Sequence, residues 1–184
     1  MSIKSLRVIE KLPDYIVPFG LGNLKYPNNW LTENKGKNIS HLNKYFGEAS
    51  GMYWLWKNYM QNFKDNDWIG FCQYRRLWLD KLFESRQKKN ISSLYSNLLN
   101  PSNKIFSSCD AILLQPTIIS RRSLKDEFKY IYGNGALNEC LDFVDEKNKA
   151  DFKRYLEGNQ MSICNMFITK PVSYTHLRAH ETLL

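Results

Sequence analysis

Two adjacent arginines stand directly after a short apolar run in the first half of the chain. Residues 68–72 are almost uninterrupted in their apolar character, and Gln73, Tyr74, Arg75 and Arg76 follow them. Such a run is typical of a strand that is buried on both faces. Open α/β sheets bind ligands at the carboxyl ends of their strands, and guanidinium groups grip phosphate oxygens in pairs. We therefore predict that these four residues bind an anionic ligand.

Glu48 has two possible uses in such a site. A carboxylate inside an aromatic helix needs a partner, so one of the two arginines could form a structural ion pair with it. Glu48 could instead act as a general base. Asp110 opens a predicted strand and is a second catalytic candidate, and Asn165 lies in another predicted strand.

Composition indicates a single globular domain with a substantial core. Of the 184 residues, 43% are hydrophobic and 14% are aromatic. No apolar run reaches the roughly 18 to 20 residues that a membrane span needs, and residues 1–15 do not read as a signal peptide. The four cysteines form no CxxC pair, which favours reduced thiols in a cytosolic protein over a zinc site.

The net charge of +8 is spread along the chain. A basic surface attracts nucleic acid, anionic lipid or phosphorylated substrates. Because the positive residues are dispersed, we favour a solvated surface over a binding patch.

The end of the sequence differs in kind from the rest. Residues 172–182 read VSYTHLRAHET, which resembles the translation of a transposon adapter used to prepare sequencing libraries. We therefore expect residues 172–184 to be a non-native tail. The natural domain is expected to cover residues 1–171 and to be incomplete at its C-terminus.

Hydrophobic spacing predicts helices that alternate with short strands. Residues 40–63 carry apolar side chains at helical intervals and predict one helix of about 30 Å that Ser40 caps. Further helices are predicted over residues 123–132 and 136–156, and buried strands over residues 68–72, 111–114 and 162–169. This alternation indicates an α/β fold with an at least partly parallel sheet.

Three short sequence blocks together resemble the pattern of a known protein family. They are Asn38-Ile39-Ser40 with Asn43, Glu48 with Tyr53-Trp54-Leu55-Trp56-Lys57-Asn58, and Ile69-Gly70-Phe71-Cys72-Gln73-Tyr74-Arg75-Arg76. This pattern resembles a bacterial family of uncharacterised domain type, whose members are usually described as capsular or exopolysaccharide glycosyltransferases. The family pattern has His where Gln73 stands, so a catalytic imidazole is missing at that position.

The resemblance implies a GT-A-like, Rossmann-type α/β fold with a mixed, mostly parallel sheet flanked by helices. It implies a transferase that moves a sugar from a nucleotide-sugar donor to a growing capsular, exo- or lipopolysaccharide. The acceptor would be a glycan or a lipid-linked glycan, with Glu48 as the candidate base for its hydroxyl and Asn165 on the acceptor side. Such a protein would work in the cytoplasm, with peripheral contact to the inner membrane, and no nucleic-acid partner is expected.

Many transferases of the implied fold hold Mn²⁺ or Mg²⁺ with an Asp-x-Asp pair after a strand. Asp65 and Asp67 match this pattern in residue type and spacing, but they precede the predicted strand 68–72 and do not follow it. A solvated turn is therefore favoured, and a metal site at Asp65 and Asp67 is the weaker alternative. In the transferase that the resemblance implies, Gln73, Tyr74, Arg75 and Arg76 would bind the donor diphosphate. Our hypothesis is that Arg75 or Arg76 replaces the metal, since guanidinium is always charged.

A non-enzymatic function is the alternative interpretation. A basic, aromatic-rich module could bind polysaccharide or nucleic acid without catalysing a reaction. Such a module needs exposed aromatic side chains, whereas the aromatic residues here fall mostly on predicted buried faces.

Overall fold

The computed structural model describes residues 12–73, 76–80 and 94–174, and they divide into two compact units. The described residues of the first unit lie within 12–112 and 166–174, and the second unit contains residues 113–165. The predicted single domain over residues 1–171 stays a prediction.

The first unit combines short strands with one substantial helix. Its helices are α1 (Asn43–Phe46), α2 (Glu48–Asn58) and α3 (Ile105–Ser108), with 3-10 turns at Ser40–Leu42 and Met60–Asn62. Its strands are β1 (Phe19–Gly20), β2 (Leu31–Thr32), β3 (Ile69–Gly70), β4 (Ala111–Leu113, whose last residue begins the second unit) and β7 (Phe167–Thr169).

Gly47 divides the long helix that the sequence predicts. Its backbone has a φ of 52°, a conformation that side chains with a Cβ rarely adopt. The amide of Gly47 donates to the Asn43 carbonyl at 2.7 Å and ends α1. Glu48 is therefore the first residue of α2, where a negative charge interacts favourably with the helix dipole. Ser40 is not the predicted helix cap, since it starts a 3-10 turn.

The sheets are smaller and less parallel than the sequence predicts. The largest has three strands in the order β3-β7-β4, and β3 pairs with β7 in the antiparallel direction. Strands β1 and β2 form a parallel pair. A mixed α/β architecture is confirmed, but a mostly parallel Rossmann-type sheet is not found among the described residues. The buried character predicted for residues 111–114 is also wrong, because Leu113 is 68% exposed.

The core of the first unit joins α2 to the three-stranded sheet. Trp54, Leu55, Ile69 and Tyr174 form its buried centre. Tyr174 is fully buried, and its hydroxyl donates to the Met52 carbonyl at 2.6 Å. Its ring packs against Phe71 and Phe167 at 5.7 and 6.1 Å between centroids. The non-native origin of residues 172–184 stays a prediction, but Tyr174 completes this core.

The second unit is a helical cluster with a two-stranded sheet. It contains α4 (Leu124–Tyr132), α5 (Asn134–Asp142), α6 (Glu146–Glu157), and the antiparallel pair β5 (Thr117–Ile118) and β6 (Gln160–Met161). Ser123 caps α4 by accepting the Asp126 amide, which confirms the predicted start of that helix. Leu124, Leu137 and Leu156 form the core. Within the described residues, no helix combines the length and apolar character that crossing a membrane requires.

Tyr174→Ala should destabilise the first unit by about 3–5 kcal/mol, because it removes a buried ring and leaves a cavity. Val172→Ala is the control, since Val172 is 48% exposed and its truncation should cost about 0.5 kcal/mol or less. Urea unfolding followed by tryptophan fluorescence measures both. Equal stabilities for the two variants would contradict the core role of Tyr174.

Candidate functional site

The first and last of the four predicted diphosphate-binding residues, which follow β3, are hydrogen-bonded to each other. The amide of Gln73 donates to the Arg76 carbonyl at 3.1 Å, and the amide of Arg76 donates to the Gln73 carbonyl at 2.9 Å. These reciprocal bonds fix the backbone of both residues at this point of the chain. Tyr74 and Arg75 lie outside the described residues.

The side chain of Gln73 links the two charged candidates. Its amide nitrogen donates to the Glu48 carboxylate at 2.6 Å, and its amide oxygen accepts from the Arg76 guanidinium at 3.5 Å. The first bond is short, as hydrogen bonds to ionised acceptors are. Because Glu48 accepts from the nitrogen, the oxygen of the amide is directed towards Arg76.

The described residues give Glu48 a bond to Gln73, and a pair between Glu48 and Arg75 stays a prediction because Arg75 lies outside them. In the described part of the chain, Gln73 stands between Glu48 and Arg76. Glu48 is half-buried at the start of α2, while Arg76 is exposed. The arrangement can therefore hold a guanidinium at the surface, where it can meet an anion. The catalytic role predicted for Glu48 stays a prediction.

Asp110, the second catalytic candidate, forms an exposed ion pair. Its carboxylate accepts from Lys170 Nζ at 3.0 Å, and it is 85% exposed. The Asp110 carbonyl also accepts from the Thr169 hydroxyl at 3.4 Å, next to β4 and β7. Asn165 is exposed and belongs to the second unit, between the buried Cys164 and Met166.

Asp65 and Asp67 lie in the solvated turn that the sequence favours. Asp67 accepts the Lys64 amide on its carboxylate at 2.8 Å and donates its own amide to the Lys64 carbonyl at 3.0 Å. Asp65 is exposed. Within the described residues, no three His, Cys, Asp or Glu side chains are grouped as metal ligands.

Several residues of the three blocks that resemble the family pattern form hydrogen bonds with the polar loop that precedes α1 and α2. Asn58 accepts the Lys37 amide at 2.9 Å and donates to the Lys37 carbonyl at 2.8 Å. The Trp54 indole donates to the Lys35 carbonyl. Ser40 donates to Asn38 at 2.8 Å. These bonds explain the side-chain types by structure, with no ligand required.

With this geometry in place, comparison with known proteins gives a family. Residues 4–178 match the family described as a domain of unknown function, DUF4422. The chain belongs to the DUF4422 family. No curated protein matches it.

A solved structure shares the fold of this DUF4422 chain. It is described as the apo structure of the bifunctional glycosyltransferase WbbM, and it matches with a TM-score of 0.64 at 15% identity. The match covers 89% of this chain but 35% of WbbM. At this identity the likeness establishes a common fold, and this chain spans about a third of the WbbM chain.

Glu33 is the principal residue of this DUF4422 chain that sequence reasoning missed. It is fully buried, and its Oε1 accepts from the Gly22 amide and from the Ser50 hydroxyl at 3.0 Å. Its Oε2 has no hydrogen-bond partner among the residues that the structure describes. Asn43 donates to Ser50 at 2.8 Å and extends the network. No spacing signal reveals Glu33, because an acidic residue in a loop rich in Gly and Asn is usually solvated.

Glu33→Ala should lower the free energy of unfolding by about 1–3 kcal/mol, since the buried Gly22 amide loses its acceptor. Glu33→Gln keeps an acceptor oxygen and should therefore lose less. Urea midpoints measured by far-UV circular dichroism compare the two. Equal losses would show that the charge of Glu33, and not its acceptor oxygen, supports the loop.

Gln73→Glu should destabilise the protein by about 1–3 kcal/mol, because it places two carboxylates where the amide now donates to Glu48. Adding Glu48→Gln should recover most of this loss, since a donor and an acceptor again face each other. A double-mutant cycle in urea measures a coupling of about 0.5–3 kcal/mol if the two side chains interact. Additive effects would contradict the contact.

Proposed function

We propose that this chain is a glycosyltransferase, which transfers a sugar from a nucleotide-sugar donor to a growing surface polysaccharide. The fold shared with part of a bifunctional glycosyltransferase supports the reaction class. The surface guanidinium of Arg76, tied through Gln73 to Glu48 after β3, is the observation that supports the donor chemistry.

The donor chemistry requires positive charge at the leaving group. When the bond between the sugar and the diphosphate breaks, negative charge develops on the phosphate oxygens. A fixed guanidinium stabilises that charge without reorganising during the reaction. We assign Gln73, Tyr74, Arg75 and Arg76 to the diphosphate, and Glu48 to the orientation of Gln73.

The proposal also assigns residues to the acceptor. A glycan or lipid-linked glycan would supply the attacking hydroxyl, with Asp110 as a catalytic candidate and Asn165 as an acceptor contact. Because Asp110 pairs with Lys170, it would have to exchange that partner to act as a base. Mn²⁺ or Mg²⁺ could add charge at the diphosphate, and Asp65 with Asp67 is the pair to test for it.

The proposal also places the protein in the cytoplasm, where it would contact the inner membrane peripherally if the acceptor is lipid-linked.

The distribution of charge bears on the rival interpretation as a nucleic-acid-binding module. Residues 113–165 contain eight basic and eight acidic side chains. The excess of positive charge therefore lies outside the second unit.

Arg76→Ala should weaken binding of the correct nucleotide-sugar by about tenfold or more, since a hydrogen bond to a charged group contributes about 1.5–3 kcal/mol. Thermal stabilisation and calorimetry with UDP-, GDP-, CMP- and dTDP-sugars, with and without Mn²⁺, identify the donor. Arg122→Ala is the matched control, because Arg122 is an exposed arginine of the second unit.

Three outcomes would count against parts of this proposal. If no nucleotide-sugar binds the folded protein, the transferase function is wrong. If Arg76→Ala binds the donor as well as the parent does, the assignment of Arg76 is wrong. If the protein instead binds nucleic acid tightly with a steep salt dependence, the binding-module interpretation replaces the transferase.

A further inference from the structure

The second unit contains an open groove that the proposed donor site does not use. It lies where α6 ends and β6 begins, and it encloses about 410 Å³. Its volume is within the range of about 300–1,000 Å³ that small-molecule sites occupy. The lining residues are Pro116, Arg154, Tyr155, Gly158, Asn159, Gln160, Met161 and Ser162.

Hydrogen bonds to neighbouring backbone hold the walls of this groove. The Asn159 side chain donates to the Ser120 carbonyl at 3.4 Å, and the Asn159 carbonyl accepts the Ile119 amide at 3.0 Å. Ser162 donates to the Leu114 carbonyl at 3.3 Å. A Cβ at Gly158 would come within 3.2 Å of the Tyr155 carbonyl, so a side chain there would force the backbone to shift. These contacts fix the shape of the groove.

Two lining side chains remain available to a ligand. Tyr155 is 47% exposed, and its ring stacks on Phe152 at 6.4 Å with an angle of 19° between the planes. The Gln160 side chain is exposed and makes no hydrogen bond within the part of the chain that the structure describes. An apolar ring surface beside an amide offers stacking and paired hydrogen bonding in one place.

The charges indicate which ligand the groove fits. Arg154, the charged residue of the lining, pairs with Asp151 at 2.9 Å. The unit as a whole has equal numbers of basic and acidic side chains. An anionic ligand therefore gains little attraction here, whereas a neutral ligand with a ring face and many hydroxyls matches both Tyr155 and Gln160.

We propose that this groove binds a short neutral oligosaccharide. The Tyr155 ring would contact the apolar face of one sugar, and the Gln160 amide would hydrogen-bond to its hydroxyls. The proposed oligosaccharide binding is argued from the residues of the groove alone. The further assignment, that the bound oligosaccharide is the acceptor, rests on the proposed transferase function.

Ligand-observed saturation-transfer NMR tests this site in the full chain. The probes are neutral di- to tetrasaccharides of glucose, mannose and galactose, with a hyaluronan tetrasaccharide as the acidic probe. At least one neutral probe should bind, and Tyr155→Ala and Gln160→Ala should each weaken it about tenfold. Tyr132→Ala is the control, because Tyr132 is 64% exposed and does not line the groove.

The same samples are titrated with the nucleotide-sugars, so the two proposals fail separately. Tyr155→Ala and Gln160→Ala should leave nucleotide-sugar affinity unchanged. Absence of neutral-glycan binding in the parent, equal binding by Gln160→Ala, or preference for the acidic probe would each overturn the groove assignment, whatever the nucleotide result. Loss of nucleotide-sugar binding in the parent with glycan binding intact would instead overturn the transferase function.

Discussion

The fold of the first unit depends on the contacts of α2. Some of its side chains form hydrogen bonds with a polar loop, and others pack in the apolar core. Asn58 and Ser50 bind the loop that precedes the helix, and Trp54 and Leu55 belong to the core that includes β3. The position of α2 also fixes Glu48, because Gly47 ends the preceding helix immediately before it. Since Glu48 orients Gln73, the geometry of the candidate site follows from the packing of this helix.

The two kinds of contact differ in how they tolerate change. The apolar side loses stability in proportion to the volume that a substitution removes. The polar side includes Glu33, a buried carboxylate whose Oε2 has no hydrogen-bond partner in the described part of the chain, and the loss there depends on which atom is left without a bond. A substitution that preserves side-chain volume is therefore tolerated more readily in the apolar core than in the hydrogen-bonded loop around Glu33.

The sequence predicts the local structure well where the signal is local. Ser123 caps α4 as expected, since a Ser before a helical run binds the amide three residues later. The division of the long helix at Gly47 and the antiparallel pairing of β3 with β7 were not predicted, because the first depends on one backbone angle and the second on residues far apart in sequence. The pairing of Glu48 with Gln73 spans 25 positions, so spacing alone could bring both residues into a candidate site but could not show that they touch.

Most residues of the three blocks that resemble the family pattern stabilise the fold. Trp54 and Asn58 bind backbone carbonyls of the loop, and such contacts specify a fold without specifying a reaction. Gln73 is different, because the resembling pattern has His at its position. A neutral imidazole has one donor nitrogen and one acceptor nitrogen, and the amide of Gln73 has a donor NH2 and an acceptor oxygen, so either side chain can donate to Glu48 and accept from Arg76. A side-chain amide does not ionise near neutral pH, and position 73 in this chain is therefore suited to holding Arg76 in place and not to acid-base catalysis.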